Sequence, residues 1–260
     1  MYRQFRRITV GIAIALTVGL AVLQAQNAKP ATAVDRVVLV ELFTSEGCSS
    51  CPPADALLRQ VNGTQTSEGQ LIVGISEHVT YWNSLGWSDP FSSSAYTDRQ
   101  DAYSQRFHLD GVYTPQMVIN GAEQIVGSDR AALQQAVLKE EAQPSRMALR
   151  ILSVEVGQSG LNVHFSASGE LPAHGVDLIA VLADDSDRSS VLHGENSGRT
   201  LAHVAVARSI SRIAKVQTAG EGTAQIPIPS SFQASQGHHL ILFAQTPGNG
   251  RVLGTDTKPL

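Results

Sequence analysis

Apolar positions change their spacing partway along the chain. Before residue 143, short continuous apolar runs alternate with stretches of helical spacing, and after residue 146 most apolar groups alternate with polar neighbours. Val37-Val38-Leu39-Val40-Glu41-Leu42-Phe43 and Leu71-Ile72-Val73-Gly74-Ile75-Ser76 read as short buried strands. Pro52-Pro53-Ala54-Asp55-Ala56-Leu57-Leu58 reads as the first turns of a helix opened by proline, and residues 94–107 as a second helix. Met117-Val118-Ile119 and Gln124-Ile125-Val126 flank Asn120-Gly121, a strong hairpin signal. Ser128 or Asp129 can cap a last helix in which Ala132, Leu133, Ala136 and Val137 share a face up to Glu141. The order β-α-β-α-β-β-α predicts a mixed sheet flanked by helices over residues 34–143.

Beyond Pro144 the helical signal nearly vanishes. Leu152, Val154 and Val156, then Leu161, Val163, Phe165 and Ala167, alternate with polar residues, and short runs recur at 178–182, 202–206, 224–228, 240–243 and 251–253. Turn-rich segments at 157–160, 184–190, 194–198, 220–222 and 247–250 separate them. This pattern predicts an antiparallel β-sandwich as a second domain over residues 146–260.

Residues 1–33 have a different character. Arg3, Arg6 and Arg7 precede the uncharged, mostly apolar residues 8–23, the pattern of a signal peptide, with Ala25, Ala28 or Ala33 before candidate cleavage points. An uncleaved anchor is the rival, and sixteen residues fall just short of a ~30 Å hydrocarbon core. The expected location is periplasmic or secreted, with membrane attachment only through an uncleaved N-terminal segment. Removal of residues 1–33 would leave 15 basic against 23 acidic residues, a surface that repels nucleic acid and anionic lipid.

The chain has two cysteines, in Cys48-Ser49-Ser50-Cys51, where the first strand gives way to the first helix. A helix N-terminus stabilises an anion, so a thiol there should ionise below the usual value of about 8.5. The first cysteine can then attack a disulfide and the second resolve the mixed disulfide. On this reading Cys48 is exposed and acidic, Cys51 is shielded inside the turn, and neither metal nor diffusible cofactor is required. The alternatives are a structural bridge, half of a zinc site and two buried thiols. Zinc lacks a second ligand pair, and a bridge closing so short a loop constrains the unfolded chain little.

A second motif, Thr114-Pro115-Gln116 leading into the 117–126 hairpin, joins the cysteine pair, and together they make residues 37–141 resemble a thioredoxin domain. The resemblance implies a cis Thr114–Pro115 bond facing the cysteines, with its backbone helping to hold substrate polypeptide. Residues 42–55, Tyr81-Trp82-Asn83-Ser84-Leu85-Gly86-Trp87-Ser88-Asp89-Pro90-Phe91, Gly111-Val112-Tyr113-Thr114-Pro115-Gln116 and Gly194-Glu195-Asn196-Ser197-Gly198-Arg199-Thr200-Leu201 are together similar to an exported bacterial thioredoxin-like family known only as a domain of unknown function. Gly47 stands where thioredoxins carry tryptophan, and Ser49-Ser50 replaces their usual intervening pair. Glu41 is the counterpart of the thioredoxin buried acid but lies one residue further from the cysteines, which on an alternating strand can turn it to the other face.

The long connection at 78–94 places Trp82 and Trp87 as either a substrate platform beside Cys48 or pins holding the loop to the body. His78 suits a structural role better than a catalytic one, and Arg199 a brace at the junction better than an acidic-partner site. The expected function is exported thiol-disulfide exchange with protein or peptide thiols and disulfides, through Cys48 and Cys51 with Glu41 as base, served by an unidentified redox partner. Thr114, Pro115, Trp82 and Trp87 are the expected substrate contacts. The alternative is a non-catalytic secreted binding module in which the two cysteines form a structural disulfide.

Overall fold

The computed structural model describes residues 36–144, 147–157, 160–229, 232 and 237–260. The expected signal segment 1–33 lies outside them. Among the described residues, no helix is long and apolar enough to cross a membrane.

The architecture is mixed α/β, with a large mixed sheet and a smaller antiparallel one. Strand β1 (Val37–Thr44) runs parallel to β2 (Leu71–His78), Val37 opposite Leu71 and Thr44 opposite His78, and antiparallel to β3 (Gln116–Ile119). Asn120 and Gly121, both at positive φ, turn β3 into the edge strand β4 (Glu123–Val126), as the Asn-Gly signal predicts. Being central, β1 buries side chains on both faces. Val38, Val40 and Leu42 pack against α1 (Pro52–Val61) and α3 (Arg130–Glu141), whereas Leu39 packs with Tyr96 of α2 (Ser94–Arg106). The helix starts match their chemistry: Pro52 and Pro53 open α1, Ser93 accepts from Ala95 N to cap α2, and Asp129 accepts from Ala132 N to cap α3.

The second half of the chain extends this sheet. Strand β8 (Thr200–Val216) joins β2 in parallel at Ser76–Val206, followed outward by β7 (Val176–Ser190), β10 (His238–Gln245) and β11 (Val252–Pro259). The eight strands lie in the order β11-β10-β7-β8-β2-β1-β3-β4. The remaining strands, β5 (Met147–Val156), β6 (Leu161–Gly169) and β9 (Gly220–Ile226), form the three-stranded sheet. Its Leu149, Val163 and Phe165 pack on Leu178, Ala180, Leu182 and Leu242, while Ile179, Val181 and Phe243 on the other side meet the face that carries Leu39.

Two expectations change. The shift at 143–146 marks where helices give way to strands, yet β8 satisfies what would otherwise be an open edge of β2, and the described residues belong to one compact unit. The two halves therefore share the large mixed sheet, and the second half adds the smaller antiparallel one. Residues 184–190, expected as a turn, are strand in β7, because the β7–β8 hairpin runs on past two register shifts.

Candidate functional site

The site sits at the carboxyl end of β1. After Thr44 the chain turns through Ser45, Glu46 and Gly47, with Cys48 N donating to Ser45 O. Gly47 allows a close approach: a Cβ there would lie 3.1 Å from the Trp82 Cβ. Cys51 N donates to Cys48 O (3.2 Å), and Cys51 O accepts from Ala54 N (2.8 Å) and Asp55 N (3.1 Å), starting α1. Cys48 and Cys51 are joined by a disulfide, with their Cα atoms 5.4 Å apart.

Both cysteines are 0% exposed, although Ser49 and Ser50 between them are at the surface. The expected contrast between an exposed Cys48 and a shielded Cys51 is therefore corrected. A segment almost 150 residues away, the loop of residues 191–199 between β7 and β8, lies against the backbone of this turn. Asn196, itself 0% exposed, donates through Nδ2 to Glu46 O and Cys48 O, both at 2.9 Å. Glu195 Oε2 accepts from Ser49 N (3.0 Å), and Arg199 Nη1 donates to Asn196 Oδ1 (2.7 Å), so Arg199 braces the loop.

The sequence-derived candidates are gathered only in part. The Thr114–Pro115 peptide is cis. Trp82 Nε1 donates to Thr114 Oγ1 (2.8 Å) while its Cβ abuts Gly47, so this indole joins the Pro115 loop to the cysteine turn. Gln100 of α2 holds the same loop by donating to Tyr113 O (2.7 Å), and Gly127 N donates to Pro115 O (2.9 Å). Trp87 Nε1 donates to Glu46 Oε2 (2.8 Å). Both indole N–H groups are thus committed to protein partners.

Glu41 is placed elsewhere. It points to the α2 side of β1, fully buried, accepting from Arg99 Nε (2.5 Å) and Tyr103 OH (2.6 Å). Glu77 lies on the same arginine, 3.8 Å from its Nε, and burial followed by the charge of Glu41 raises its pKa well above the carboxylate range. Strand alternation is the physical reason: Thr44 faces α1 with Val40 and Leu42, and odd-numbered Glu41 does not. The acid on the α1 side is Asp55, which accepts from Thr44 Oγ1 (3.0 Å).

Asp55 belongs to a second buried cluster behind the cysteine turn. Glu46 accepts from Trp87, from Ser189 Oγ and from His203 Nε2 (3.2 Å), and its backbone N donates to Asp89 Oδ2 (2.8 Å). Asp89 Oδ2 also meets His78 Nδ1 at 2.7 Å, and the His78 and His203 rings meet edge to face at 4.7 Å. His203 Nδ1 lies 3.7 Å from Asp55 Oδ1. Burial opposes charge on His203, but the Asp55 and Glu46 carboxylates outweigh it and raise its pKa to about 9. Burial likewise pushes Asp89 up, and His78 together with the backbone N–H groups of Glu46 and Phe91 more than reverses this, leaving it below its usual value. Among the described residues, no group of three or more His, Cys, Asp or Glu side chains is arranged to hold a metal ion.

Glu46, Asp55, Asp89, Asn196 and His203 escaped the sequence reading. For Asn196 a signal existed, the Gly194-Glu195-Asn196-Ser197-Gly198-Arg199 segment, but nothing in it says that its target is a turn in the other half of the chain.

Comparison with known proteins matches residues 39–245 to a family model described as protein of unknown function (DUF1223). No curated protein matches the chain. A crystal structure of an Agrobacterium tumefaciens protein is similar at 24% identity and a TM-score of 0.62, covering 85% of this chain and 92% of that one. HBP35 of Porphyromonas gingivalis is similar at 13% identity and a TM-score of 0.64, covering 86% and 75% respectively. At these identities the likeness concerns the fold alone.

Proposed function

The chain belongs to this family of unknown function, and we propose that it is an exported thiol-disulfide oxidoreductase acting on protein or peptide substrates in the periplasm or outside the cell. Residues 34–143 act as a thioredoxin-like module, and the second half covers and supports its redox pair. The observation that carries this reading is the Cys48–Cys51 disulfide at the carboxyl end of a central strand, with the Thr114–Pro115 loop tied to the same turn by Trp82. In the reduced protein the Cys48 thiolate attacks a substrate disulfide, forming a mixed disulfide and expelling one substrate thiolate. Cys51 then attacks Cys48 Sγ, re-forming the Cys48–Cys51 bond and releasing the second substrate thiol. Two electrons pass to the substrate, and the reverse sequence oxidises a dithiol.

A second reading is favoured by the burial of both cysteines: a secreted binding module in which the disulfide is structural. Reduced Cys51→Ser protein, incubated with a protein disulfide, separates the two. Exchange predicts a covalent adduct through Cys48 that dithiothreitol releases. Absence of any adduct from both Cys51→Ser and Cys48→Ser would favour the structural bridge.

A further inference from the structure

We propose that the loop of residues 191–199 is a gate over the Cys48–Cys51 disulfide, with Asn196 as its latch; this assigns a regulation to the exchange site and rests on the reading above. Within 191–199 only Val191 and Asn196 are buried, and Leu192 is 64% exposed. Its hold on the cysteine turn is polar and small. Asn196 donates to the Glu46 and Cys48 carbonyls, and Glu195 accepts from Ser49 N. A segment held by few buried apolar contacts belongs to the low-stability end of a structure and can open without global unfolding.

The loop is also built to move as a unit. Val191 N donates to Arg199 O (2.9 Å), Gly198 N to Val191 O (2.8 Å) and Ser197 N to Gly194 O (3.2 Å), so lifting it leaves these bonds intact. Gly194 and Gly198 are at φ of 78° and 79°, a region open to glycine at no steric cost. The base of the loop is anchored where β7 and β8 pair, Ser190 opposite Thr200.

The latch bears on the cysteine turn itself. Cys48 O accepts from both Asn196 Nδ2 and Cys51 N, so any shift of Cys51 on reduction is transmitted to the carbonyl that holds the loop. A loop that binds the oxidised turn more tightly than the reduced one must, reciprocally, favour the oxidised turn. Opening exposes the Cys48–Cys51 bond to an attacking thiolate, and closure shields it.

Reduction by dithiothreitol, which converts the disulfide to two thiols while the reagent is oxidised to its cyclic disulfide, tests the gate when followed by alkylation and mass measurement at low urea. A local opening exposes little surface, so the wild-type rate should be nearly flat with urea well below the unfolding transition. Asn196→Ala should raise the rate roughly tenfold by removing two buried hydrogen bonds. Glu195→Ala, a surface change that leaves the fold intact, should raise it about threefold. A wild-type rate that climbs with urea in step with global unfolding, or variants that react at the wild-type rate, would overturn the gate. Adduct trapping by Cys51→Ser together with a urea-tracking rate would sink the gate and leave exchange standing. A flat, latch-sensitive rate without trapping would leave an opening loop and remove exchange.

Discussion

Two clusters of buried ionisable groups lie around β1, one under α2 and one behind the cysteine turn, and they differ in the cation at their centre. In the first, Arg99 stands between Glu41 and Glu77 and stacks on Tyr103 and Phe243, a guanidinium that stays charged at every accessible pH. In the second, His203 stands between Glu46 and Asp55, a cation that can be discharged. The Arg99 cluster joins α2 to β1 and, through Gln245, to β10, and among the described residues it makes no hydrogen bond or ion pair with the cysteine turn. The His203 cluster shares Glu46 with that turn and with the loop that covers it. The difference teaches that a buried acid on the strand leading to the cysteines is not thereby part of their chemistry; the face it points to decides.

The largest effect should come from Arg99→Met. It leaves Glu41 buried without its partner, and breaking a buried pair in this way costs about 3–5 kcal/mol in urea unfolding. A loss under about 1 kcal/mol would mean that the Arg99–Glu41 pair contributes little to the fold and would make the contrast between the clusters false.

Next comes the histidine cluster, whose mark is a pH dependence. The folded pKa of His203, about 9, stands above the unfolded value near 6.5. Its contribution is therefore fully present below pH 6.5 and is lost as pH rises through 9, on the order of 3 kcal/mol across that window. His203→Gln should be less stable at pH 6 and should flatten the decline between pH 6.5 and 9. Equal slopes in variant and wild type would place the proton elsewhere.

A smaller effect separates the clusters functionally. Glu41→Gln should cost about 1–3 kcal/mol through weakened bonds to Arg99 and Tyr103, while the rate of disulfide reduction by dithiothreitol stays at its wild-type value. A changed rate would return Glu41 to the cysteine site.

Much of the first half of this architecture was legible because its signals are local. The apolar runs of β1 and β2, the prolines opening α1, the Asp129 cap and the Asn120-Gly121 hairpin each act within a few residues. The second half was read as shorter strands because β7 and β8 break their alternation at register shifts, and Ala205 in β8 sits at a φ of 49°. What stayed hidden was non-local. The parallel junction of β8 with β2 is a single register pair, Ser76–Val206, and no local pattern encodes it. The cysteine spacing was plain in the sequence, but the hold on their turn by an Asn196 amide, brought in by that same β7–β8 hairpin, was not.

The central claim, that Cys48–Cys51 is a working disulfide, is tested most directly by its redox midpoint, read as the mass shift on alkylation across a graded glutathione or dithiothreitol titration. The account predicts a midpoint above about −270 mV, in the range of turnover pairs, and a value below about −300 mV would identify a structural bond and contradict it.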